Sequence, residues 1–161
     1  MRIVTIGGYG FSEQTFLGAL GKAGVDAFVD IRQRRGMRGP KYAFLNSSRL
    51  QSLLAATGIR YIHALDLAPT ASVRDAQKDE DRAAGIAKRD RTLLSPAFVQ
   101  KYRSEILATF RPEGLQRSLN GANAVAFFCV EGQPCACHRS LAAEYLLQVF
   151  GSEQPVEHLR P

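Results

Sequence analysis

Short unbroken apolar runs alternate along this chain with stretches of helical period. Residues Arg2 to Ile6 (RIVTI) run apolar and stop at Gly7-Gly8, which predicts a strand leaving into a turn. Ser12 can cap a helix whose inward face is Phe16, Leu17, Leu20 and Ala23, ended by Gly24. Ala27 to Ile31 (AFVDI) lacks alternation, as a strand buried on both faces does. Asn46 or Ser47 starts a second predicted helix with Leu50, Leu53 and Leu54 inward and Gly58 past its end. Ile59 to Leu65 predicts a third strand, with Ile59, Tyr61 and His63 on one face.

The segment Val73–Arg91 carries six basic and five acidic residues with almost no apolar periodicity, and is expected to be a solvated, partly helical excursion. Ser95-Pro96 is a helix start, and Phe98, Tyr102, Ile106 and Phe110 repeat every four residues as a core stripe. Val125 to Val130 predicts a fourth strand, Ser140 to Phe150 a helix closed by Gly151, and Val156 to Leu159 a last short strand. Strands separated by helical segments imply right-handed βαβ units. The expected fold is therefore α/β, a Rossmann-like three-layer α/β/α sandwich with a mainly parallel sheet, in a single domain over residues 1–161.

Composition changes this picture little. The 161 residues are 45% hydrophobic and 22% charged, the proportions of a globular chain. No apolar stretch approaches membrane-spanning length, and the N-terminus is too short and strand-like for a signal peptide, so no membrane association and a cytoplasmic location are expected. The three cysteines are an odd number lying within nine positions of one another, which suits free thiols rather than a secreted disulfide framework. A net charge of +6 favours anionic partners.

Chemistry concentrates in two connections. VAFFCVEGQPCACHRSLAAEY holds all three cysteines together with Glu131, His138 and Arg139. RQRRGMRGPKY places Arg32, Arg34, Arg35, Arg38 and Lys41 within ten positions, with no acid and with Tyr42 close by. In open parallel sheets ligands bind beyond the carboxyl ends of the strands. If the first, second and fourth strands are neighbours, Tyr9, Asp30, Arg32, Cys129, Glu131, Cys137, His138 and Arg139 converge on one rim. Cys137, His138 and Arg139 also fall at a helix start, where unpaired N–H groups and the dipole favour an anion and a thiolate.

Spacing argues against two familiar templates. A cysteine–arginine phosphatase loop needs arginine six positions after the strand-end cysteine, where this chain has Cys135, and Arg139 is ten residues on. A Cys₃His zinc centre is conceivable from composition, yet Cys135 and Cys137 are one residue apart rather than the two to four of zinc knuckles. No metal ligand is assigned on spacing, and no cofactor is required.

VTIGGYG, FVDIRQRRG, LLAATGIRYIHALDLAP and FFCVEGQPCACHRSLAAEYL followed by VEHL resemble the domain of unknown function 488 family across Ile3–Leu159. The last stretch is the most specific: an apolar strand, Cys-x-Glu, a proline-containing loop, then Cys-His-Arg opening a helix. The resemblance makes Cys129, Glu131, Cys137, His138 and Arg139 matching positions, together with Asp30 and Arg32, and implies no established reaction. Gly8 stands where many relatives have histidine, and Cys135 lies outside the usual pattern.

Two functions follow as expectations. The first is an enzyme acting on a phosphate-bearing substrate, a nucleotide or nucleic acid. Cys129, Glu131, Cys137 and His138 would be its catalytic groups, and Arg139, Arg32, Asp30 and Tyr9 would hold substrate. The second is a non-catalytic anion or nucleic-acid module using Arg34, Arg35, Arg38 and Lys41, with Tyr42 or Phe44 stacking on a base.

Overall fold

The computed structural model describes residues 1–87 and 90–161. Five strands form one sheet: β1 (Arg2–Ile6), β2 (Ala27–Asp30), β3 (Arg60–His63), β4 (Ala124–Phe128) and β5 (Glu157–Leu159). Their order is β3-β2-β4-β1-β5 and every pairing is parallel. The α/β sandwich and the parallel sheet expected from the βαβ pattern are both present. Strands β2 and β4 are buried along their whole length, which explains why neither alternates.

Helix α1 (Glu13–Lys22) begins in a capping box, with Ser12 Oγ accepting from Thr15 N and Thr15 Oγ1 accepting from Ser12 N. Its Phe16 is fully buried and meets Phe11, Phe28, Phe44 and Phe128 edge-on at 5.6–6.1 Å between ring centres. Burying one such ring contributes about 1.5–3 kcal/mol before edge-to-face gains. Helix α2 (Ser47–Ala56) buries Leu50 and Leu54 and precedes the edge strand β3. Strand β3 is shorter than the apolar run Ile59–Leu65 suggests, because Leu65–Leu67 coil into a 3₁₀ turn.

The excursion is more ordered than its charge pattern implies. Ala71–Ala84 form helix α3, capped by Thr70 and ended by Gly85 at φ 66°. It attaches through Val73 and buried Gln77, whose Oε1 accepts the Ser95 N–H at 2.7 Å. Asp81 then pairs with Arg91 at 2.5 Å. Lys88 and Arg89 of that segment lie outside the described residues. Among the described residues, no helix is long and apolar enough to cross a membrane.

The four-residue stripe also has a structural cause. Phe98 lies in α4 (Pro96–Lys101), capped by Ser95, and the chain continues as π-helical turns over Tyr102–Leu107. An α-helix over-rotates a four-residue repeat, whereas the wider π turn under-rotates it. The bond from Ala108 N to Arg103 O at 2.9 Å marks that wider turn. Phe98, Tyr102, Ile106 and Phe110 consequently all stay buried. Helix α5 (Pro112–Ser118) leads into β4, and α6 (His138–Val149) starts two residues earlier than the apolar pattern predicts.

Candidate functional site

Strand β4 lies between β1 and β2, so the loops leaving these three strands meet at the centre of the carboxyl edge. Gly8 N and Tyr9 N both donate to the Val130 carbonyl, at 3.1 and 2.9 Å, fastening the β1 loop to the β4 loop. Gly7 permits the approach: a Cβ there would stand 2.3 Å from the Glu131 carbonyl oxygen. At Gly8 a Cβ would meet Leu45 Cδ1 at 2.5 Å, so any side chain there would require Leu45 to move.

The β4 loop folds Glu131 back over the cysteines. Its Oε2 lies 3.1 Å from Cys129 Sγ and 3.3 Å from Cys137 Sγ. Cys137 is the residue preceding α6, supplies no side-chain cap, and its Sγ is 3.9 Å from His138 Nδ1. The imidazole of His138 is fixed from two sides. Nε2 lies 3.2 Å from the Ile31 carbonyl oxygen, and Tyr102 packs against the ring at 5.5 Å. A carbonyl only accepts, so Nε2 carries hydrogen and Nδ1 faces the sulfurs. All four residues are buried, while Cys135 is exposed on the neighbouring 3₁₀ turn.

The electrostatics of this cluster divide its two thiols. Burial works against a Cys137 thiolate, but hydrogen bonding from Cys129 and the charge of protonated His138 bring its pKa down to about 5. The thiol of Cys129, which donates to Cys137 and is itself buried, is pushed well up. His138 is raised despite burial because the Cys137 thiolate faces it. Since Glu131 Oε2 also touches both sulfurs, Cys137 is anionic most readily when that carboxyl holds a proton.

The arginines of the motif serve the framework. Arg32 is clamped onto Asp30, with Nε 2.9 Å from Oδ1 and Nη2 2.7 Å from Oδ2. Arg32 Nη1 donates to the Leu45 carbonyl, and the guanidinium lies over the Phe128 ring at 4.6 Å. Tyr61, which the sequence pattern marks only as a strand residue and not as part of a site, donates its hydroxyl to Asp30 Oδ2 at 2.8 Å. Arg139 is buried behind the loop, donating Nη1 to the Glu131 carbonyl and Nη2 to the Gly132 carbonyl. Asp30 and Arg139 do not line the open cleft, and Arg32 reaches it already paired.

That cleft has a volume of about 900 Å³. Its floor is Cys129, Glu131, Cys137 and His138, and Tyr9 stands beside Tyr42 at one wall, their rings 5.2 Å apart. Arg34, Arg38 and Lys41 of the basic loop line it and are exposed. Arg35 is instead drawn away to the Tyr61 hydroxyl at 3.3 Å. The opposite wall comes from α3 and the segment after it, with Arg74, Lys78 and Arg91. Those three are not identifiable from sequence as site residues, because α3 has no apolar face to reveal where it docks.

Fold and site together define a Rossmann-like parallel α/β protein with a buried thiol–carboxylate–imidazole cluster under a basic cleft. The chain belongs to the family described as Domain of unknown function DUF488, whose model matches residues 12–146. No curated protein and no solved structure matches it.

Proposed function

We propose that this chain is an enzyme acting on a phosphate-bearing substrate, a nucleotide or nucleic acid, held in the cleft between the basic loop and α3. One observation carries the reading: the only cluster of two thiols, a carboxylate and an imidazole among the described residues forms the floor of a cleft whose rim is cationic. Arg34, Arg38 and Lys41 bind the phosphate by charge, in place of Arg139 and Arg32, which are engaged in the framework. Cys137, at the start of α6, is the nucleophile. Glu131 and His138 accept and return protons from within reach of its sulfur.

A binding module uses the same rim but has no need of the floor. The two readings therefore separate on matched variants assayed with nucleotides and short oligonucleotides. Cys137→Ser and Glu131→Gln are expected to abolish turnover and to leave binding within a few-fold of wild type. Arg38→Gln and Lys41→Gln are expected to weaken binding. Turnover that survives both floor substitutions, or an absence of turnover on any phosphate ester tested while binding persists, overturns the enzymatic reading in favour of the module.

A further inference from the structure

The floor cluster has the donor set and spacing of a metal site that sequence spacing conceals. One ligand atom each from Cys129, Cys137 and His138 lie within 4.8 Å of one another, and all three residues are buried. Glu131 Oε2 sits 3.1 and 3.3 Å from the two sulfurs, and His138 Nδ1 is 3.9 Å from Cys137 Sγ. For tetrahedral zinc with bonds of about 2.3 Å to sulfur and about 2.0–2.2 Å to nitrogen or oxygen, ligand–ligand edges are about 3.6 Å. The three observed separations bracket that value.

A second feature is independent of these distances. Metal-binding imidazoles almost always donate their other N–H to a carbonyl or carboxylate, which fixes the tautomer and the ring. His138 does this through Nε2 to the Ile31 carbonyl oxygen, with Tyr102 packed on the ring. Nδ1 is thereby turned toward the sulfurs before any ligand arrives. Exposed Cys135 is excluded, so the set is not the Cys₃His centre that composition alone would suggest.

We infer that Cys129 Sγ, Cys137 Sγ, His138 Nδ1 and Glu131 Oε2 form a tetrahedral site for a soft divalent cation, Zn²⁺ foremost. Thiolate and imidazole together select zinc over the hard cations magnesium and calcium. Binding needs both sulfurs as thiolates and Nδ1 free of hydrogen, so the protons that the metal-free cluster shares among Cys129, Cys137, His138 and Glu131 are released to solvent. The helix start at Cys137 further stabilises the anionic sulfur. The assignment does not rest on the reaction proposed above. Where both hold, a metal-bound Cys137 is a ligand rather than a nucleophile, so Zn²⁺ suppresses turnover and a chelator restores it.

The test uses the full chain, stripped with chelator under reducing conditions and titrated with Co²⁺ and then Zn²⁺. One equivalent of Co²⁺ should give the visible bands of tetrahedral coordination and thiolate-to-cobalt charge transfer, and Zn²⁺ should bleach both. Zn²⁺ should also protect Cys129 and Cys137, but not Cys135, from alkylation located by peptide mass spectrometry. Cys135→Ser and Arg38→Gln should keep the cobalt spectrum, whereas Cys137→Ser should weaken the charge-transfer band to that of the single Cys129 thiolate. Absence of charge transfer in the wild-type chain, or its loss in Cys135→Ser, overturns the site. If Cys137→Ser fails to fold, the wild-type spectrum and the protection pattern still decide. Arg38→Gln distinguishes the two proposals: retained cobalt binding with lost oligonucleotide binding leaves each standing on its own readout.

Discussion

Arg32 grips Asp30 side-on through Nε and Nη2: both side chains are almost wholly buried and share two contacts of 2.9 and 2.7 Å. The pair spans the exit of β2, and the Arg32 backbone N–H adds a third bond to Asp30 Oδ1 at 3.1 Å. Removing one partner leaves the other charge buried and uncompensated. Asp30→Asn or Arg32→Met should each lower unfolding free energy by about 3–5 kcal/mol in urea melts. By contrast, breaking the exposed pair Arg49–Glu13 should cost less than about 1 kcal/mol. Equal losses at the two pairs would show that burial does not set their energies.

Gly7 is required by contact rather than by its backbone angle. A Cβ at this position would lie 2.3 Å from the Glu131 carbonyl oxygen and 3.3 Å from Arg139 Nη2. Gly7→Ala must therefore push the β4 loop away from β1. The expected cost is about 1–3 kcal/mol, with Cys129 and Cys137 becoming faster to alkylate as Glu131 is displaced. Gly18→Ala, in the middle of α1 with nothing within 4 Å of where its Cβ would stand, serves as the contrasting case: it should raise stability by about 0.5–1 kcal/mol and leave alkylation unchanged.

How much of this was legible in the sequence depends on what each residue is attached to. Strands β2 and β4 were readable because burial on both faces leaves unbroken apolar runs, although Ile31 and Val130 fall just past the strands they extend. Helix α3 was not readable as a docked element, since one valine, a buried amide and the Asp81–Arg91 pair hold it rather than a leucine stripe. The thiols, glutamate and histidine crowded into one connection of the sequence also lie together in space. The aim of the arginines was hidden: whether a guanidinium at a helix start faces the cleft or the loop backbone depends on rotation about that first turn. Tyr61 was hidden as well, because its partner Asp30 is set by the β2–β3 register.

The pH dependence of stability should carry a contribution from His158 on β5. Its Nδ1 lies 2.7 Å from Thr5 Oγ1, and partial burial followed by the charge of Arg139 depresses its pKa, with Arg160 adding to the effect and Glu144 opposing it. The unfolded chain therefore protonates this histidine first. The contribution is fully present above the unfolded value of about 6.5 and is lost as pH falls through 6.5 toward the lower folded value. His138 acts with the opposite sign, because its folded pKa is raised. The difference between wild type and His158→Gln isolates the effect: the variant should lose less stability between pH 7.5 and pH 5 (about the unfolded value, one unit above and more than one below). An identical slope in both proteins would remove His158 as a contributor.

Gln77 joins the charged wall of the cleft to the helix beneath it. Its Oε1 accepts the Ser95 N–H at 2.7 Å and its Nε2 donates to Asp81 Oδ1 at 2.8 Å. Gln77→Ala leaves the buried Ser95 N–H without that acceptor, at a cost of about 1–3 kcal/mol. Because α3 carries Arg74 and Lys78, the substitution should also weaken binding of phosphate-bearing ligands without touching the floor. Gln77→Glu keeps the acceptor for Ser95 N–H but replaces the donor to Asp81 with a second carboxylate, so relative to Gln77→Ala it should recover stability only as pH falls and its carboxyl gains a proton to donate to Asp81. No recovery at low pH would place the loss elsewhere than in these hydrogen bonds.

Binding at the rim should obey counterion release. Arg34, Arg38 and Lys41 are exposed and line the cleft, with Tyr9 and Tyr42 beside them to stack on a base. For a short single-stranded oligonucleotide, each neutralised phosphate contributes about −0.7 to the slope of log affinity against log salt. Arg38→Gln and Lys41→Gln should each flatten that slope by about one phosphate's worth and weaken binding at low salt more than at high salt. Tyr42→Ala should instead lower affinity by a similar factor at every salt concentration, since stacking releases no counterions, by about 1–3 kcal/mol per base lost. A Tyr42→Ala effect that vanishes at high salt would mean that Lys41, whose ammonium lies over the Tyr42 ring at 5.3 Å, is what the tyrosine positions.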